Sequence, residues 1–152
     1  MKIHVIEGKI ARNYDLVGKM DPYLQITTLK KGKYRTYTAK EAGQCPKWNE
    51  IFEIPLGSRE ELLVFSIFDE DWFKDEMIAQ ATFSVMQLTE TDQPTWYKFK
   101  EITENNIAEM FISCTWIPER SINHINNHIK ANSPNAAKTI SDEVSQEISF
   151  DS

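Results

Sequence analysis

The sequence predicts an all-β fold, an eight-stranded antiparallel β-sandwich, on three observations. Runs with period-two alternation or dense β-branched and aromatic content recur eight times before residue 118. Turn-prone residues separate most of them, and no long helical pattern lies between. Short strands at regular intervals without crossover helices favour antiparallel packing over a parallel α/β sheet.

In order, the runs are "KIHVIEG", "PYLQITTL", "KYRTYTAK", "NEIFEIPL", "ELLVFSIFD", "MIAQATFSV", "TWYKFKE" and "AEMFISCTWI". The first gives way to a Gly-containing loop bracketed by Asp15 and Asp21, and Pro22 opens the second. Lys31-Gly32 breaks the second from the third, Gly43 to Pro46 the third from the fourth, and Gly57-Ser58 the fourth from the fifth. The fifth leaves as "FDEDWFKDEM", and Asp92 to Pro94 precede the seventh.

After Pro118 the composition shifts to Asn, Ser, Ile and isolated charges, so the sandwich is assigned to residues 1–118 and a polar tail to 119–152. Ile122, Ile125 and Ile129 fall at i, i+3 and i+7, a pattern for a short amphipathic helix over 121–131 once something covers its stripe. The remaining tail reads as disordered in isolation and is expected to be held by a protein partner. His124 and His128 share a helical face, but no carboxylate or thiol is arranged beside them, and they read as solvated side chains.

With 152 residues, 41% of them hydrophobic and 11% aromatic, the chain has material for one domain with its own core. The net charge of −6 excludes the strong basic excess of a nucleic-acid binder. Cys45 and Cys114 lack the close spacing of a zinc or redox motif and read as buried free thiols in a reducing compartment. No basic-then-apolar leader and no membrane-length apolar run is present, so a cytoplasmic protein is expected. There is no glycine-rich phosphate loop or nucleophile elbow, and His4 is the one histidine of the predicted sandwich, so no enzyme is expected.

Two loops concentrate the chemistry. One carries Asp15 and Asp21; the other carries Asp69, Asp71 and Asp75 around Trp72-Phe73. At an effective dielectric near 20, two carboxylates about 4 Å apart repel by roughly 4 kcal/mol, so such a cluster calls for a counter-charge. If the loops lie side by side, five carboxylates converge. Hard oxygens on flexible loops suit calcium, which takes six to eight oxygen ligands, better than magnesium.

The motifs "DLVGKMDPYLQI", "CPKWNEIFEIPL" and "ELLVFSIFDEDWFKDEMIA", in this order and spacing, resemble the C2-domain family of calcium-dependent phospholipid-binding modules. The resemblance covers about residues 1–117, and its strand order is similar to the circularly permuted (type II) topology of phospholipase C and small plant C2 proteins. It implies calcium as cofactor, held by Asp15, Asp21, Asp69, Asp71 and Asp75. The chain departs from the family in spacing Asp71 and Asp75 four apart instead of six, in Ala79 where Gly is common, and in Met20 where a small residue is usual.

The partner so implied is an anionic phospholipid membrane. Two bound calcium ions would set +4 against −5 from the five aspartates, an electrostatic switch. Leu16, Val17, Met20, Trp72 and Phe73 are the expected membrane-inserting side chains. Lys31, Lys33 and Arg35 in "LKKGKYRTYTAK" form either a basic groove for phosphoinositides, as in the family, or a lysine-blunted edge hairpin. The expected function is calcium-dependent membrane binding by a near stand-alone domain, a peripheral targeting or signalling adaptor of the kind used in membrane trafficking. The alternative is a calcium-independent component of a larger assembly, held through sandwich and tail.

Overall fold

The structure is a computed structural model and describes residues 1–14, 18–30, 32–102 and 106–118. Eight strands form, one for each predicted run: β1 (Lys2–Lys9), β2 (Pro22–Thr28), β3 (Lys33–Arg35), β4 (Lys47–Glu53), β5 (Leu62–Asp69), β6 (Glu76–Ser84), β7 (Thr95–Glu101) and β8 (Ile107–Thr115). Every pairing is antiparallel, in the order β3-β2-β5-β6-β7-β8-β1-β4. β1 lies between β8 and β4, so the first and last strands are neighbours, the geometry a circular permutation needs.

The sheet folds over at β6 and β7, which pair only through Ala79↔Glu101 and Gln80↔Lys100. That leaves two four-stranded layers face to face. Edge strands β3 and β4 meet through Tyr34 and Phe52, whose ring centroids are 6.5 Å apart. Trp48 on β4 donates its indole N–H to the Pro22 carbonyl at the start of β2. Between the layers Phe65 packs edge-on to Phe83 and Phe99 at 6.0 and 6.2 Å. Ile3, Leu24, Ile26, Leu63, Ile67 and Met110 complete a core with no exposed surface. Emptying a Phe99-sized position there would cost about 3–5 kcal/mol.

Two local features were not expected. The short helix α1 (Val85–Leu88) follows β6, started by a reciprocal capping box between Ser84 and Gln87. Predicted strand three is shorter than its run, because beyond Arg35 the backbone leaves the regular ladder. It still tracks β2 through Thr36 N–H to Leu24 O and Ala39 N–H to Pro22 O, both 2.9 Å. Cys114 is buried as expected, whereas Cys45 is exposed, a correction that follows from its place in the open turn before β4.

Candidate functional site

Antiparallel strands sort the loops to two ends. β1, β3, β5 and β7 finish at the end where β2, β4, β6 and β8 begin, so the described residues between those strands, 10–14, 18–21, 36–46, 70–75, 102 and 106, are gathered at one rim. Both acidic segments lie there. The backbone ties them together: Asp21 N–H donates to Asp69 Oδ1 at 2.7 Å, and Glu70 N–H donates to the Asp21 carbonyl at 3.1 Å.

The carboxylates have distinct environments. Asp69, the last residue of β5, is 3% exposed and anchors the Asp21 backbone. Asp21 accepts Glu41 N–H on Oδ1 at 2.6 Å and the Lys40 ammonium on Oδ2 at 3.1 Å. Asp75 accepts the Tyr23 hydroxyl on Oδ2 at 2.7 Å and Asp71 N–H on Oδ1 at 3.3 Å. This last bond closes the loop on itself, which accommodates the four-residue Asp71–Asp75 spacing. Burial, followed by the Asp75 bond, pushes the Tyr23 phenol up to about 12.

Asp21, Asp71 and Asp75 line one open cleft together with Lys40, Glu70 and Trp72. Asp69 is buried at the strand end behind them, not on an open face shared with Asp71. Asp15, Leu16, Val17 and Lys31 fall outside the described residues, as does the whole tail call over 119–152 with its helix at 121–131. Among the described residues, no group of three or more His, Cys, Asp or Glu is arranged to hold a metal ion. The donor chemistry does fit calcium, since the cleft offers carboxylate oxygens and already accommodates one cation, the Lys40 ammonium.

Two counter-charges come from the basic hairpin. Lys40 bridges Asp21 and Glu70, 2.5 Å from the latter, and Arg35 pairs with the other Glu70 oxygen. The Lys40 and Arg35 bonds hold the Glu70 carboxyl down at about 2. The Arg35 guanidinium also sits 3.6 Å from the Tyr23 ring centroid and bonds Thr38. Arg35 therefore turns its guanidinium toward the acidic rim. Lys33 is exposed on β3, an edge strand, where a lysine deters further strand pairing.

The expected insertion residues divide sharply. Trp72 and Phe73 are 94% and 96% exposed at the tip of the 70–75 loop. Met20 is corrected: it is 0% exposed within the main core, because the backbone before β2 turns its side chain between the layers. Sequence reasoning missed Glu70, Tyr23 and Glu101 as supports. Glu101, fully buried at the end of β7, accepts Ala11 N–H at 2.9 Å and the Tyr14 hydroxyl, fixing the start of the first acidic loop. No sequence pattern marks such a partner, since the residues are about ninety positions apart.

The family model described as "C2 domain" matches residues 1–99. The chain is 25% identical over 129 residues to "16 kDa phloem protein 1" of Arabidopsis thaliana, covering 76% of this chain and 83% of that protein. It is 26% identical to "Elicitor-responsive protein 1" of Oryza sativa subsp. japonica, over 58% of this chain and 60% of that one. The calcium-bound pair of C2 domains of Extended-Synaptotagmin 2 superposes with a TM-score of 0.61 at 25% identity, over 73% of this chain and 42% of that chain. The chain thus spans most of the first relative and about half of the others. With the matched strands and the Asp-Pro-Tyr and Asp-x-Asp segments in place, the chain belongs to the C2 domain family.

Proposed function

We propose that this chain binds anionic phospholipid membranes in a calcium-dependent manner through the rim that carries Asp21 and residues 70–75. C2 family members bind phospholipid membranes, which supports a lipid partner in general. The observation that carries the finer reading is the placing of Asp21, Asp71 and Asp75 around one open cleft, with Trp72 at its edge. When bound, calcium supplies positive charge and open coordination positions that lipid phosphates complete.

Asp21, Asp71 and Asp75 would hold the ion, with Asp69 behind them and Asp15, implied by the family resemblance, from the first loop. Their carboxylates repel an anionic surface until neutralised. Trp72 and Phe73 then enter the interface, each contributing roughly 1.5–3 kcal/mol if its apolar surface is fully buried. Their exposure side by side at a loop tip supports this role, since a folded chain gains nothing by leaving two large aromatics in water.

The test is co-sedimentation with phosphatidylserine-containing vesicles, in calcium and in chelator. Pelleting in calcium alone supports the proposal; equal pelleting in both, or none in either, removes it. Neutral vesicles serve as the control, because the charge mechanism requires an anionic surface.

A further inference from the structure

We propose that Lys40 is a built-in competitor of calcium at this rim: its ammonium links the two acidic loops and must leave Asp21 when calcium is taken up. The inference rests on the calcium reading given above and concerns how that site is regulated.

A single Nζ lies 3.1 Å from Asp21 Oδ2 and 2.5 Å from Glu70 Oε2, so one positive charge spans both loops. The cleft lined by Asp21, Asp71 and Asp75 is also lined by Lys40 itself. A second feature concerns the backbone. Glu41 holds a left-handed φ of 52°, unfavourable for a residue with a Cβ, and its N–H donates to Asp21 Oδ1 at 2.6 Å. The residue before Lys40 is fastened through Ala39 N–H to the Pro22 carbonyl at 2.9 Å. Both oxygens of Asp21 are therefore occupied by one dipeptide, Lys40-Glu41, delivered from a segment anchored to β2.

The two grips differ in how easily they release. The Glu41 amide is fixed by the backbone and continues to orient the carboxylate. The Lys40 side chain is 62% exposed, on a flexible stem, and leaves at small cost. An exposed pair of this kind is weak, enough to alter ion affinity without blocking it. The chain thereby satisfies the repulsion between its acidic loops with its own cation at low calcium, and yields Asp21 when calcium rises.

The experiment is a calorimetric calcium titration without vesicles, comparing wild type with Lys40→Met, Lys40→Gln and Lys40→Arg, with thermal melting in chelator and in calcium as a second readout. The two neutral variants are expected to bind calcium about fivefold more tightly, and Lys40→Arg to stay within about twofold of wild type. The neutral variants should also gain a larger rise in melting temperature from calcium than wild type does. Unchanged or weaker affinity in both neutral variants overturns the inference while leaving the calcium reading in place. Calcium binding by the neutral variants but not by wild type supports the competition and removes the calcium dependence of the native chain. Absence of binding in all four proteins overturns both.

Discussion

The two ends of this sandwich are built on the same strands yet solve opposite problems. At the end carrying α1, the loops are knit by bonds that satisfy their own backbone. Glu61 accepts the Gly57 and Ser58 amides, Arg59 donates to the carbonyl and hydroxyl of Thr89, and Ser84 and Gln87 cap the helix. At the acidic rim, side-chain charges meet across loops instead, as Lys40 and Arg35 hold Glu70 and Asp21, while Trp72 and Phe73 stay in water. One end is closed by hydrogen bonds to backbone and hydroxyl groups; the other is organised by charges that meet across loops. The difference is visible without reference to any motif.

That contrast can be broken or sharpened by mutation. The largest effect is expected from the double change Asp69→Asn and Asp71→Asn. The side-chain carbonyl introduced by Asp69→Asn still accepts the Asp21 amide, so the fold should persist while calcium-dependent pelleting with anionic vesicles disappears. Next, Trp72→Ala should weaken vesicle affinity by about 1.5–3 kcal/mol with calcium uptake and melting temperature unchanged, because the ring makes little contact with the protein. Unaltered vesicle affinity would refute insertion of Trp72.

At the opposite end the pattern should invert. Ser84→Ala removes the α1 cap and is expected to cost about 1 kcal/mol in denaturant melts while leaving vesicle binding intact. The smallest effect belongs to Glu70, whose carboxyl is held at about 2 against an ordinary 4.5 by Lys40 and Arg35. A lowered carboxyl contributes stability in full above about pH 4.5 and loses it as the pH falls toward 2. Glu70→Gln should therefore flatten the acid limb of stability in that window, modestly, since the pair is partly solvated.

The strands were legible because a half-buried strand alternates, as β8 does, and a more fully buried one carries a dense β-branched and aromatic run, as β5 does. α1 went unread because one turn is too short to show a helical period, although Ser84-x-x-Gln87 carried its capping signal. The site was half legible. Asp-Pro-Tyr marks where the first loop enters β2 and Asp-x-Asp where the other leaves β5, and the structure gathers Asp21, Asp71 and Asp75 on one cleft. The burial of Met20 and the commitment of Arg35 to Glu70 were not legible, since each depends on how one loop lies over another. The missing counter-charge was in the sequence throughout, displaced by nineteen positions from the aspartate it meets.

The unequal cysteines have a practical consequence. Burial pushes the Cys114 thiol up to about 12, which leaves almost no thiolate at neutral pH, while Cys45 is exposed in the turn that faces the first acidic loop. A maleimide dye should therefore react at Cys45 and spare Cys114 in the native protein. The unmodified sequence thus offers a single attachment point for an environment-sensitive fluorophore close to the rim, from which docking onto a bilayer is readable as a spectral shift without engineering the chain.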